Sequence, residues 1–143
     1  TEYRTQNYIL TADISLNDAS DYENWGTERP EYDWRSIGAE ATFTGVFDGN
    51  GHTIYGLKKP LMAMNQGKIR NLRVAADFDD DMQNVQGVIT QYNEGNIEDC
   101  MVTGTISGYM GGNGAVVYPE FGGIAGENAL AGIIFWLYIK AEC

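Results

Sequence analysis

The residues that decide the fold lie between positions 61 and 139, where one pattern occurs three times. Each copy is an apolar stretch ending in Asn, then Gly-x-Ile and two more apolar residues, which follow the Gly at +5 and +7. The copies are Leu61-Met-Ala-Met-Asn65 with Gly67-Lys-Ile69, Leu72 and Val74; Val88-Ile-Thr-Gln-Tyr-Asn93 with Gly95-Asn-Ile97, Cys100 and Val102; and Gly123-Ile-Ala-Gly-Glu-Asn128 with Gly132-Ile-Ile134, Leu137 and Ile139.

The constant offsets predict how each copy folds. Apolar residues at +5 and +7 alternate as in a strand, and the three-residue step from +2 to +5 breaks that alternation and predicts a bend. The Asn and the Gly predict a tight turn, because both tolerate a left-handed backbone. One copy buries a single apolar face, so successive copies must stack to close a core. We therefore predict an all-β parallel β-solenoid in which Ile69, Ile97 and Ile134 form one interior column; the alternative is a β-sandwich.

The residues before these copies add further strands. Apolar residues alternate from Tyr8 to Leu16, which predicts one strand. A fourth, degenerate copy of the pattern is predicted at Gly51-His-Thr-Ile54 with Leu57.

Several of these segments, in this order, resemble the GLUG-motif family. The resemblance rests on Tyr8-Ile-Leu-Thr-Ala-Asp-Ile-Ser-Leu16, Trp34-Arg-Ser-Ile-Gly38, Phe43-Thr-Gly-Val-Phe-Asp-Gly-Asn-Gly-His-Thr-Ile54, Gly95-Asn-Ile-Glu-Asp-Cys-Met-Val-Thr-Gly-Thr-Ile106 and Gly122-Gly-Ile-Ala-Gly-Glu-Asn128. It implies a right-handed parallel β-helix inside large secreted or surface-anchored bacterial proteins, where such segments accompany adhesins and some surface peptidases without being catalytic. It also implies an extracellular or cell-surface location.

The chain departs from the family pattern in places. Ser36 stands where the family often has Pro, and the apolar stretch 59–65 has no glycine pair. The family's usual upstream segment is absent, and we expect a short stack of rungs from a longer protein. We predict one continuous domain with two parts: residues 1–58 hold a strand, an aromatic loop and the first rung, and residues 59–143 hold the GLUG-like copies.

Charge and composition exclude some partners. The 143 residues include 20 acidic and 9 basic side chains, for a net charge of −11. Such a chain repels phosphate groups, which disfavours nucleic acid and anionic membrane surfaces. The longest apolar stretch, residues 129–139, is shorter than the roughly 20 residues that a membrane-spanning helix needs. We expect no membrane insertion.

The sequence offers no catalytic group that we would assign. His52 is the single histidine and lies in a predicted turn, Asp48-Gly-Asn-Gly-His52, with no nucleophile at a recognisable spacing. Asp77, Asp79 and Asp81 begin like a calcium loop, but Met82 and Val88 stand where an EF-hand needs Gly and Glu. A solvated loop is favoured there over a weak calcium site, so no cofactor is expected. Cys100 at a +5 position predicts a small buried thiol.

The outward positions of the third copy predict a contact surface. They are Ile133, Phe135, Trp136 and Tyr138, where the earlier copies have mostly polar residues. An exposed apolar patch usually marks a contact, and three explanations remain open: a following domain, another chain, or a glycan or protein ligand. Tyr22 and Trp25, in an aromatic and acidic loop, are a second candidate for sugar binding.

The function predicted from these features is a non-catalytic structural or adhesion module of a bacterial surface protein. Its partners would be glycans, host or matrix proteins, and neighbouring domains of its own chain. The alternatives are a glycan-active β-helix enzyme, an accessory segment of a surface peptidase, and a spacer without a ligand. If the chain were an enzyme, we would expect carboxylates and basic side chains to cluster in one groove.

Overall fold

The computed structural model describes residues 2–17, 34–80, 86–108, 121–135 and 138–140, with the backbone alone at 2, 77–80, 86, 105–108, 121–122 and 138–140. This part of the chain is all-β, apart from a single 3-10 turn at Glu2–Thr5. The strands are β1 (Asn7–Ile9), β2 (Ile14–Ser15), β3 (Val46–Asp48), β4 (Thr53–Leu57), β5 (Met62–Asn65), β6 (Lys68–Arg70), β7 (Arg73–Asp80), β8 (Gln86–Gly87), β9 (Thr90–Asn93), β10 (Asn96–Glu98), β11 (Met101–Gly108), β12 (Phe121–Gly122), β13 (Ala125–Asn128), β14 (Ile133–Phe135) and β15 (Tyr138–Lys140).

All pairings between these strands are parallel, and the chain visits the sheets in a fixed cycle. The first sheet has the order β1-β3-β6-β10-β14, the second β2-β4-β7-β11-β15, the third β5-β9-β13, and a small sheet pairs β8 with β12. The strands therefore fall into five levels: β1–β2, β3–β5, β6–β9, β10–β13 and β14–β15. The first two sheets run across position 58/59, because β3 pairs with β6 and β4 with β7.

The predicted isoleucine column is confirmed. Ile97 aligns with Ile69 on one side and with Ile134 on the other. Phe47 extends the column beyond Ile69. Ile69 and Ile97 are buried, as are Ile54, Val74 and Val102 on the facing second sheet. Parallel strands that bury one face in register hold their core through these columns, each buried aliphatic side chain contributing about 1.5–3 kcal/mol.

The predicted bend between the +2 and +5 positions is confirmed at two of the copies. Asn71 and Asp99, each at +4 from its Gly, have φ of 51° and 49°. Here the first sheet ends and the second begins. Asn50 has the same left-handed backbone at the corresponding corner one level earlier, with φ of 51°. Asn and Asp are the non-glycine residues that adopt this conformation most readily.

The left-handed turn predicted at the Asn and the Gly of the first two copies is wrong. Asn65 and Asn93 are fully buried, and neither they nor Gly67 and Gly95 have a positive φ. The Gly is required for a different reason. A Cβ at Gly95 would lie 2.1 Å from the carbonyl oxygen of Gly67, one level below. The backbones approach too closely here for any side chain.

Two predictions for the earlier residues are also corrected. The segment from Tyr8 to Leu16 forms β1 and β2, which belong to different sheets, and not one strand. Alternation cannot reveal the corner between them, which the Asp13 carboxylate holds by accepting the Thr53 N–H at 2.9 Å. The degenerate copy begins at Gly45 and not at Gly51. A Cβ at Gly45 would lie 1.9 Å from the carbonyl oxygen of Gln6, so Gly45 has the same role as Gly67 and Gly95, whereas a Cβ at Gly51 would meet nothing within 4 Å.

Candidate functional site

The outer face of the first sheet carries two columns of side chains. One column runs Asn7, Val46, Lys68, Asn96 and Ile133; the other runs Ile9, Asp48, Arg70, Glu98 and Phe135. These columns are set by the pleat, since alternate residues of a strand face opposite sides of its sheet. The outer face of the second to fifth levels is therefore decided by the residues that flank the interior Phe or Ile, and in the first level Tyr8 takes that position.

Ion pairs occupy the middle levels of this face. Arg70 Nε donates to Asp48 Oδ2 at 2.8 Å, and Lys68 Nζ lies 2.8 Å from Glu98 Oε2. The Asn50 N–H donates to the Asp48 carboxylate. This hydrogen bond, together with those from the Asn71 and Arg70 side chains, holds the pKa of Asp48 below its usual value. Exposed pairs of this kind contribute up to about 1 kcal/mol each. Their main effect is to keep the middle of the face polar.

The last level is apolar on the same face. Ile133 is 54% exposed and Phe135 is 56% exposed, directly beyond Asn96 and Glu98. Leu130, in the segment that leads into β14, is fully exposed. We call Leu130, Ile133 and Phe135 the apolar end face. Exposed apolar side chains gathered in the level next to the ion-paired ones are typical of a contact surface; Ile9, in the first level, is also exposed on this face.

The other predicted contact residues are only partly covered by the structure. Tyr138 begins β15, where its backbone pairs with Met101, but its side chain lies outside the described part. Trp136 lies outside it too, as do Tyr22 and Trp25 of the second aromatic candidate. Trp34 is half-buried, packs against the core and donates from Nε1 to the Leu61 carbonyl at 3.2 Å.

The predicted calcium-like run falls on β7 and the residue after it. Asp77 and Asp79 pair through their backbones with Thr105 and Ser107 of β11. Their carboxylates, and the whole of Asp81, are outside the described side chains. Among the side chains that are described, no three His, Cys, Asp or Glu residues come together as metal ligands.

His52 lies at the corner between β3 and β4. The backbone N–H of His52 donates to the Gly49 carbonyl at 2.8 Å, which closes the turn that the sequence predicts. Its Nδ1 is 3.1 Å from Asp13 Oδ1. The Thr53 N–H is the main cause that lowers the pKa of Asp13, and His52 adds to it. The pair thus joins the first level to the second at this corner.

Cys100 is buried in the second-sheet side of the core, as predicted for a +5 position. Burial raises the pKa of its thiol to about 11. Its Sγ donates to the Glu98 carbonyl at 3.2 Å. Since the thiolate is the nucleophilic form, a thiol of this kind is unreactive near neutral pH. Cys143 lies outside the described residues.

The sequence analysis did not predict one polar feature of the structure, a ladder of asparagine side chains. Asn65 Nδ2 donates to Asn93 Oδ1 at 2.8 Å, and Asn93 Nδ2 donates to Asn128 Oδ1 at 2.8 Å. The same amides bind the following turns, since Gly67 N–H donates to Asn65 Oδ1 and Asn93 Nδ2 donates to Gly95 O. The signal was present in the sequence, as an Asn two residues before the Gly in the first two copies and four residues before it in the third.

Comparisons with protein-family models, with curated proteins and with solved structures found no match to this chain. In the part of the chain that the structure covers, no helix has the length and apolar character to cross a membrane.

Proposed function

We propose that this chain is a right-handed parallel β-solenoid of the GLUG-motif type that serves as a non-catalytic structural and adhesion module on a bacterial surface. The parallel, in-register levels and the cyclic order of the sheets support the architecture. The buried Asn ladder supports a rigid role, because each amide ties its level to the next and satisfies buried polar groups. A stack held in this way keeps its two ends at a fixed separation.

The observation that carries the binding part of the proposal is the apolar end face. The middle levels of the outer face are ion-paired, and the last level exposes Ile133 and Phe135. Aromatic side chains that are half exposed supply contact area at little cost in conformational entropy and are enriched where proteins bind partners. Phe135 would contact a glycan or a host or matrix protein, together with Trp136 and Tyr138, which the sequence predicts as contact residues.

The test is a binding screen of the chain against immobilised glycans and extracellular-matrix proteins, with and without calcium. Phe135→Ser should reduce binding of any hit by about tenfold, a loss of about 1.4 kcal/mol. The matched control is Tyr92→Ser, because Tyr92 is also an exposed aromatic, at 38%, but lies on the third sheet between two other strands. Equal losses in both variants would contradict the assignment to the apolar end face.

The competing function is a glycan-active enzyme. It is tested by incubating the chain with acidic and neutral polysaccharides and measuring the release of reducing ends. Release that depends on Asp77 or Asp79, and that follows the chain through purification, would replace the adhesion proposal. Binding without turnover would support it.

A further inference from the structure

The corner between β3 and β4 contains a dipeptide that is chemically labile. Asparagine followed by glycine occurs with Asn50 before Gly51 and again with Asn113 before Gly114, the second pair lying outside the described residues. Asn50 and Gly51 are both exposed, and a Cβ at Gly51 would meet nothing within 4 Å. Asparagine is among the thermolabile residue types, and the absence of a glycine side chain leaves the approach to the glycine nitrogen unhindered. Crowding therefore does not protect this dipeptide on the Gly51 side.

The reaction open to the dipeptide is deamidation through a cyclic imide. The Gly51 nitrogen attacks the side-chain carbonyl carbon, Cγ, of Asn50, a C–N bond forms, and the bond from Cγ to Nδ2 breaks. Nδ2 leaves as ammonia and takes the proton that the Gly51 nitrogen gives up. One water molecule then opens the ring at either of its two carbonyls, which leaves aspartate or isoaspartate at position 50. Water is the only co-reactant, and nothing is oxidised or reduced.

Three hydrogen bonds hold the reacting groups in place. The Gly51 N–H donates to the Asn71 carbonyl at 2.8 Å, so the attacking nitrogen is bound to the third level. Asn50 Nδ2 donates to the Leu10 carbonyl at 3.3 Å, which binds the leaving group to the first level. The Asn50 N–H donates to Asp48 Oδ1 at 2.8 Å and fixes the backbone before the dipeptide. The nucleophile and its target are therefore held by two different levels.

The contact between the second and third levels keeps the nitrogen protonated. Gly49 N–H donates to the Arg70 carbonyl at 2.8 Å, next to the bond from Gly51 to Asn71. A Cβ at Gly49 would lie 2.5 Å from the Asn71 carbonyl oxygen, so the two corners lie directly against each other. Because the Gly51 nitrogen must release its proton to attack, the bond to Asn71 has to open first.

We propose that Asn50 is a deamidation site that is closed while the corner of the second level lies against the third and reacts only when that contact opens. The lability comes from the local sequence, and the control comes from the next level of the stack. The proposal is independent of the proposed function, because it involves neither the apolar end face nor any ligand.

The modification also weakens the corner in which it forms. The product has no Nδ2, so it cannot donate to the Leu10 carbonyl, and its new carboxylate lies close to the carboxylate of Asp48. Isoaspartate also lengthens the main chain by one methylene group between Gly49 and Gly51, whose N–H groups both bind the third level. Modified molecules therefore hold their second level less firmly to its two neighbours.

The test compares two measurements on the parent chain at pH 8. Peptide mass spectrometry follows deamidation of Asn50 as a gain of one mass unit, in buffer and in urea, and NMR measures hydrogen exchange of the Gly51 N–H. Since one opening frees that nitrogen for both reactions, folding should slow deamidation by the same factor as exchange, at least about tenfold. Asn113 gives the reference rate in urea. Asn71 has the same left-handed φ as Asn50 but precedes Leu72, and it should react far more slowly in urea.

Two glycine variants separate a local opening from a general loss of stability. G49A places a Cβ against the Asn71 carbonyl at the corner itself and should speed deamidation of the folded chain at least about tenfold. G104A places a Cβ 1.7 Å from the Ala76 carbonyl, between β7 and β11, and should leave the rate unchanged. Circular dichroism establishes that each variant is folded. If G49A does not fold, the parent chain in buffer and in urea decides the question.

Three results would overturn the proposal. The first is deamidation of Asn50 in the folded parent chain as fast as in urea while the Gly51 N–H stays protected from exchange. The second is equal acceleration in folded G49A and folded G104A. The third is an Asn50 that stays intact in urea for as long as Asn113 takes to react.

Discussion

Replacing Asn93 with alanine should destabilise the protein more than any other single side-chain truncation on the third sheet. Asn93 is fully buried and takes part in three side-chain hydrogen bonds: one from Asn65 Nδ2 and two from its own Nδ2, to Gly95 O and Asn128 Oδ1. The truncation removes all three and leaves Asn65 Nδ2 buried without an acceptor.

The magnitude follows from these contacts. Three hydrogen bonds at about 1 kcal/mol each, with an unsatisfied buried donor and a small cavity, give a loss of about 3–5 kcal/mol. Gly95 O keeps the Ile133 N–H, and Asn128 Oδ1 can turn to water, so neither adds to the loss. Asn128→Ala removes two bonds at an exposed position and should lose only about 1 kcal/mol.

Urea unfolding monitored by far-UV circular dichroism measures both losses, with native-state hydrogen exchange to show which levels open first. Exchange should quicken in β9 and in the strands on either side of it, β5 and β13, for Asn93→Ala. A loss below about 1 kcal/mol, or one equal to that of Asn128→Ala, would refute the view that the ladder is a principal stabilising feature. Replacement by leucine that restored stability would refute it as well, since shape alone would then suffice.

Three further outcomes are expected. Gly95→Ala should lower the free energy of unfolding in urea by about 3 kcal/mol or more, because its Cβ would lie 2.1 Å from a backbone carbonyl oxygen. In Gly51→Ala the Cβ has nothing within 4 Å, so only the φ of 78° should lower that free energy, by about 1 kcal/mol. A larger loss in Gly51→Ala than in Gly95→Ala would contradict the close approach of the backbones at Gly95. The lowered pKa of Asp48 means that its contribution to stability is present above the unfolded-state pKa and is lost as pH falls through the lower folded-state pKa, so Asp48→Asn should flatten the acid limb of a stability-against-pH curve, and an unchanged limb would count against this. In a Cys143→Ser background, Cys100 should react with a thiol reagent at pH 8 only after urea is added, because its pKa is about 11 in the fold; rapid labelling of the folded chain would show the thiol to be accessible.

Local pattern carried much of the fold. The recurrence of Gly-x-Ile with apolar residues at +5 and +7 predicted parallel stacking, the alignment of Ile69, Ile97 and Ile134, and the bend at Asn71 and Asp99. Each of these follows from period-two alternation and one fixed interruption, which are properties of the chain itself. The apolar character of positions 133 and 135 was readable for the same reason.

The roles of the Asn and the Gly could not be read in this way. Both residue types are common in turns, so sequence favoured a left-handed turn, whereas Asn65 and Asn93 form buried side-chain bonds and the glycines admit a neighbouring backbone. These reasons involve atoms 22 residues or more away along the chain, from Gly67 to Gly45 and from Asn65 to Asn93. The corner between β1 and β2 was missed for a similar cause, because it is fixed by contacts of Asp13 with His52 and Thr53.

The amino-acid sequence by itself determined which residues of the repeated copies face inward, where the third and fourth levels bend and that the last level is apolar outside, because these depend on spacing and polarity along the chain. Only the tertiary structure decided that the amides form a ladder and that backbone carbonyls of one level require glycine in the next. Those features arise from contacts between successive levels, and such contacts exist only once the levels lie over one another.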